Sequence, residues 1–223
     1  MKNATEYARK FQTLLKRVKT THRANDFPQR DPVAELIFGF LMWNAPRRSA
    51  ESALQRIARS TVDHNDLRVS LNEEIAAILG DQYPMVQQRS ARMREALQEV
   101  FAREHILSLD MLHQRSKKDV RAYLESLPGI TPFVAAHTTL VAFEGHAVPV
   151  DDRLVESLLH EGVIDPEATV EQITAFLERH VRAEQALVTH AVMQAWADAG
   201  TRRASVVRAA SARKTTRKKA GQS

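Results

Sequence analysis

The residues best suited to chemistry lie in one stretch, Leu124 to Leu154, reading LESLPGITPFVAAHTTLVAFEGHAVPVDDRL. Pro128 and Gly129 specify a tight turn, Ile130 anchors it in the core, and Thr131 caps a helix whose first residue is Pro132. The turn formed by Pro128, Gly129, Ile130 and Thr131 aims backbone N–H groups and the positive end of that helix outward, which suits a phosphate oxygen. Twenty-two residues past Gly129, the apolar run Val148, Pro149, Val150 delivers Asp151 to the start of a further helix. Its carboxylate has two readings, a plain N-cap or an acid placed for reaction. Asp152 beside it reads as a helix-start carboxylate. Other chemistries are excluded by what is missing. Zero cysteines remove disulfides, thiolate zinc sites, iron-sulfur clusters and thiol nucleophiles. None of the nine histidines falls in an HxxxH pair or a carboxylate cluster with zinc spacing, so no metal ligand is assigned. Gly-rich phosphate loops, Gly-x-Ser-x-Gly elbows and kinase signatures are also absent.

A turn and an acid need elements to hold them, and here every element reads as a helix. Apolar residues recur three and four apart along a chain with only seven glycines and eight prolines, so the expected class is all-α with about ten helices. Tyr7, Phe11, Leu14, Leu15 and Val18 form the first stripe. Asp31 and Pro32 open a second helix through Val33, Leu36, Ile37, Phe40 and Leu41. Ser49 is the expected cap of a third, with Ala53, Leu54, Ile57 and Ala58 inward. A short helix runs from Asn72 to a stop at Gly80. Arg89 to Arg103 follows with Met93, Leu97, Val100 and Phe101 on one side, then a helix opened by Ser116. Pro132 to Phe143, Asp152 to His160, Val170 to about Arg179 and Ala183 to Ala199 complete the set. Trp43 and Trp196 end apolar helices and read as core.

Charge is segregated. Residues 1 to 30 hold eight basic and two acidic side chains, and residues 201 to 223 hold eight basic and none acidic. The intervening body is therefore net −9 although the whole chain is +5. Residues 201 to 223 lack the apolar surface to fold alone and read as a disordered basic tail, for DNA contact through Arg213, Lys214, Arg217, Lys218 and Lys219 or for solubility alone. Neither a membrane span nor a signal peptide is indicated, so a cytoplasmic protein is expected, nucleoid-associated if it binds DNA.

Three features together resemble the helix-hairpin-helix DNA glycosylase superfamily, the relatives of endonuclease III. The family's Leu-Pro-Gly-apolar-Gly hairpin is matched by Leu127, Pro128, Gly129, Ile130 and Thr131, and its apolar-Val-Asp by Val150 and Asp151. The run DPVAELIFGFLMWNAP, Asp31 to Pro46, is similar to its early apolar helix with a polar residue at the end, here Asn44. The loop GDQYPMVQQRSARM, Gly80 to Met93, is similar to the one before its next helix. Coverage is about residues 31 to 198. The resemblance implies two lobes, a helical barrel over residues 30 to 132 and a second lobe made of residues 1 to 29 with 133 to 200. It implies a nucleotide of double-stranded DNA flipped into the cleft between them, and Asp151 as the catalytic carboxylate. Asn44 then lies near the base or is a helix C-terminal cap, Phe133 packs against the base or fills core, Tyr83 and Met85 form a wedge or a buried loop anchor, and Arg89 and Arg92 are either phosphate contacts or solvated charges. A monomer is expected.

Departures from the pattern limit the chemistry. Members that nick the strand carry a lysine early in the second hairpin helix, where this chain has Phe133, so any glycosylase activity is monofunctional with water attacking. Thr131 replaces the second glycine and Pro132 lacks an N–H, leaving one fewer phosphate donor. The family's iron-sulfur cluster is impossible without cysteine, so no cofactor is expected, while the hairpin carbonyls stay open to a monovalent cation. The alternatives are a DNA-binding module of this fold without catalysis, and a helical interaction protein whose hairpin is a structural turn.

Overall fold

Helix boundaries follow local capping chemistry. The computed structural model describes residues 4–24 and 27–200. Among them are eleven helices and no strand: α1 Ala4–Thr21, α2 Pro32–Met42, α3 Arg47–Ser60, α4 His64–Val69, α5 Asn72–Leu79, α6 Val86–Glu104, α7 Lys117–Glu125, α8 Pro132–Val141, α9 Asp152–His160, α10 Val170–His180, and α11 over residues 186–200. No described helix is long and apolar enough to cross a membrane. Asp31 caps α2 by accepting from Val33 and Ala34 N–H, and Pro32 fills the first position, where a missing N–H costs nothing. Ser116, Thr131 and Asp151 cap α7, α8 and α9 in the same way. Gly80 ends α5 at φ 85°, a conformation that suits glycine.

Three expectations fail. Ser49 does not cap α3: the helix starts at Arg47, and the Arg47 N–H donates at 3.0 Å to the Asp198 carboxylate of α11. The cap arrives from another part of the chain. Ala58, expected inward, is exposed, and Ala50 is buried instead. The earlier start of α3 shifts which residues face the core. Helix α4, capped by Asp63, is too short at six residues to leave a periodic trace.

The apolar residues form two buried clusters. One gathers α2 to α7 around Leu36, Phe40, Ile75, Leu97 and Val120. The other joins α1 to α9, α10 and α11 around Phe11, Leu14, Leu158, Ile173 and Leu177. Helix α8 serves both, with Phe133, Val134 and Ala135 in the first cluster and Ala136 and Leu140 in the second. Trp43 and Trp196 are only partly buried, each against one cluster.

A polar chain is sealed where these parts meet. Glu35 of α2 takes a 2.7 Å hydrogen bond from His137 Nε2 of α8, and His137 Nδ1 lies 3.2 Å from His190 Nε2 of α11. All three side chains are buried. Arg30 also donates to Glu35 at 3.0 Å, Phe27 stacks on His190, and the Arg47 guanidinium lies over the Phe27 ring. One proton must lie between the two imidazoles, since facing ring nitrogens need a donor and an acceptor. Gly39 makes room: a Cβ there would stand 3.1 Å from the His137 ring.

Burial works against the Glu35 carboxylate, but His137 and Arg30 outweigh it and hold its pKa below the ordinary value. Burial, with the His137 and Arg47 charges, holds His190 well below 6.5. Both groups have depressed folded pKa values, so the stability they confer is fully present above the unfolded pKa and is lost progressively as pH falls from there through the folded pKa. Stability should therefore start to fall near pH 6.5, when unfolded His190 takes a proton that the folded form refuses, and further below about 4.5 through Glu35. His190→Gln should remove about 1.4 kcal/mol per pH unit of that slope between pH 6.5 and 5. Urea denaturation at several pH values reads it; an unchanged slope would show that His190 does not titrate on unfolding.

Candidate active site at the junction of α2 and α9

The C-terminal end of α2 is where the candidate residues converge. Its last carbonyls have no partner within the helix and need outside donors. Arg89 of α6, 0% exposed, supplies them: its guanidinium donates to Phe40 O, to Trp43 O at 2.5 Å and to Pro84 O at 3.0 Å. The reading of Arg89 as a solvated charge or phosphate contact is thus corrected, because this cation is spent on backbone. Burial lowers its pKa to about 10, against the raising influence of Tyr83 and Asp151, so it stays charged at neutral pH.

For Tyr83 the loop-anchor reading holds and the wedge reading is corrected. Its ring is buried and its hydroxyl donates to Leu41 O at 2.7 Å, so it anchors the loop instead of wedging into a base stack. Burial pushes its phenol up to about 12. Met85 does remain at the surface, 37% exposed, in a left-handed conformation at φ 51° just before α6. Its sulfur lies 3.9 Å from Asn44 Nδ2.

With the end of α2 pinned, Asn44 turns left-handed at φ 52° and faces α9. Its backbone N–H donates to Asp151 Oδ2 at 3.1 Å. Its side chain forms a reciprocal pair with Asp152: Nδ2 donates to Asp152 Oδ2 at 2.8 Å, and Oδ1 accepts from Asp152 N–H at 3.0 Å. Asp152 is therefore more than a helix-start residue. The other Asp151 oxygen accepts from Leu154 N–H at 2.9 Å, closing the N-cap of α9. Asp151 is 3% exposed and in no salt bridge. Its pKa is raised because burial outweighs the Leu154 and Asn44 hydrogen bonds and the Arg153 charge. Arg153 braces the junction by donating to Ala45 O at 2.7 Å and pairing with Asp198 of α11.

The hairpin joins this junction through α6. Arg92, half-buried, donates to Gly129 O at 3.2 Å and lies over the Trp43 ring, next to Asn44. Gly129 has φ 75°, and a Cβ there would stand 2.5 Å from Arg92 O, so the turn can press on α6 only as glycine. The Ile130 N–H is taken by Leu127 O at 3.2 Å. Gly129 and Thr131 keep their N–H groups without a protein partner among the described residues, while the Thr131 hydroxyl caps α8. Phe133 is 2% exposed and stacks on His137 at 6.0 Å between centroids, so it fills core and takes no part in a base pocket. Arg213, Lys214, Arg217, Lys218 and Lys219 lie outside the described residues. No group of three potential metal ligands occurs among the described residues.

Arg89→Leu should cost about 3 kcal/mol or more, because it orphans several buried carbonyls at once, and should release the loop carrying Met85. Thermal or urea unfolding measures the loss, and proteolysis at residues 80–86 reads the release; a loss under 1 kcal/mol would show that the carbonyls find other donors.

No family model and no curated protein matches this chain in sequence. Solved structures do match in shape. An endonuclease III trapped on DNA as a covalent intermediate is 16% identical with a TM-score of 0.65, over 84% of each chain. A thermostable thymine-DNA glycosylase is 17% identical with a TM-score of 0.62, over 86% of this chain and 87% of its own. The 3-methyladenine DNA glycosylase of H. pylori, bound to 1,N6-ethenoadenine, is 14% identical with a TM-score of 0.61, over 85% and 94%. The helical order, the Pro128–Gly129 hairpin and the Asp151 cap are thus set in the helix-hairpin-helix DNA glycosylase fold.

Proposed function

We propose that this protein is a monofunctional DNA N-glycosylase that acts as a monomer on double-stranded DNA, with Asp151 as its catalytic carboxylate. The observation that supports the reading is the desolvated Asp151 carboxylate at the α2–α9 junction, in no salt bridge among the described residues and joined through Asn44, Trp43 and Arg92 to a hairpin whose Gly129 and Thr131 N–H groups have no partner among them. In the reaction the C1′–N bond breaks with its electron pair leaving on the base. The sugar becomes cationic, and a carboxylate in a low-dielectric site stabilises it more than one in water would. Water then bonds to C1′ and passes its proton to the carboxylate. Phe133 offers no amine, so no Schiff base forms at that position.

Access to Asp151 requires Asn44 to part from Asp152, which exchanges two hydrogen bonds for contacts with the incoming nucleotide. A second reading has its own support: both Asp151 oxygens already accept backbone N–H groups, as in a purely structural cap, which fits a DNA-binding module without catalysis.

Duplexes bearing uracil, alkylated or oxidised bases, followed by alkaline cleavage, separate the two. Base release from one of them is expected. Asp151→Asn retains a good N-cap residue but loses the charge, and should slow release by about 10²–10³-fold while duplex affinity holds. Unchanged turnover in that variant would overturn the assignment, and binding without release from any lesion would favour the second reading. Because the ionised form acts and its pKa is raised, the rate should fall on acidification through a value above the ordinary aspartate range. Borohydride should trap no covalent DNA adduct.

A further inference from the structure

Helix α1 shares a groove with the end of α11, the point from which the basic C-terminal stretch continues in sequence. Helix α1 exposes Arg9, Lys10, Lys16 and Arg17, and Arg23 follows it. Among the described residues two acids answer them: Glu6 pairs with Lys10 at 2.7 Å and Glu161 with Arg17 at 2.6 Å. Arg9, Lys16 and Arg23 have no acid partner among the described residues. Two cavities of about 410 and 350 Å³ run along this helix and share Arg17 and Glu161 as walls. The first lies beside Arg9 and Lys10; the second reaches His22 and ends at Trp196, Ala199 and Gly200 of α11. Beyond Gly200 the sequence continues with the eight Lys and Arg of residues 201–223 and no acid.

This place adjoins the candidate active site. Asp198, two residues before Gly200, accepts from Arg153 and from the Arg47 N–H, and Arg153 in turn donates to Ala45 O next to Asn44. The end of α11 therefore stands near the Asp151 junction and against the C-terminal end of α1. The groove carries Arg9, Lys10 and Arg17, and the sequence that follows Gly200 is of the same sign, so a polyanion suits this face. With residues 31 to 200 at net −9, the basic groups of the molecule are concentrated here.

We propose that the exposed face of α1, together with the groove ending at Gly200, is a second DNA-backbone surface that holds duplex flanking the nucleotide at Asp151. That the polyanion is DNA rests on the glycosylase reading; the surface itself rests on the charges. Arg9 to Lys16 covers about 10 Å of helix rise, the axial length of about three phosphates of one strand. The contacts carry no base information and add affinity that salt removes.

Fluorescence anisotropy of the full chain on a labelled duplex, titrated across NaCl concentrations, tests it. Arg9→Gln/Lys16→Gln/Arg23→Gln removes three exposed cations and should flatten the slope of log affinity against log salt by up to about 2.7. Glu161→Gln frees Arg17 from its partner and should do the reverse, tightening binding at low salt and steepening the slope by up to about 0.9. Circular-dichroism melting confirms that both variants fold. If the unaltered chain binds the duplex and neither variant moves the slope, the surface is overturned while the glycosylase reading stands, and α1 is left for an acidic protein partner. If the unaltered chain does not bind duplex at low salt, both fall.

Discussion

The structure around the candidate site depends on how one helix ends. Helix α2 is buried nearly throughout, so the carbonyls of its last turn cannot turn to water. The Arg89 guanidinium, held between α2 and the loop before α6, satisfies them and costs the burial of a charge in return. That exchange favours the fold because a guanidinium offers five fixed donors, and here they reach three backbone acceptors on two segments. Only with the helix end fixed can Asn44 adopt its left-handed conformation and present its N–H to Asp151. The same device recurs: Arg56 closes the end of α5 through Ile78 O and Leu79 O, Arg103 closes α7 through Ser126 O, and Lys117 reaches Phe143 O.

Asp151 balances two demands. The hydrogen bonds from the Leu154 and Asn44 N–H groups favour its charged form, while burial makes that charge costly and raises its pKa. Glu35 shows the opposite outcome at similar burial, because His137 and Arg30 face it directly and hold it charged. The difference between these two acids is the cation in hydrogen-bond contact with Glu35.

How much of this was legible depended on whether the cause was local. Asp31, Ser116, Thr131 and Asp151 were readable as caps because a cap acts on residues two or three positions away. Gly80 and Gly129 were readable as turns for the same reason. Ser49 misled because the donor at the start of α3 is satisfied by Asp198, 151 positions distant. Arg89 and Tyr83 sit in a polar loop and a charged helix, and nothing nearby in sequence says that a helix end 40 residues earlier needs their hydrogen bonds. Asn44 was placed near the site by resemblance, but its partner Asp152 was not, since the pair spans 108 positions. The Glu35–His137–His190 chain left no trace either, being three single residues on three helices.

Helix α8 has a mechanical consequence. Its first turn is locked among the side chains of α2 to α7 and its middle among those of α1 and α9 to α11, so neither half of the molecule owns it. Pulling the halves apart would strip one side of this ten-residue rod. The chain is thus expected to come undone in a single cooperative step, and any relative motion of the two clusters must pivot about this shared axle without drawing it from either socket.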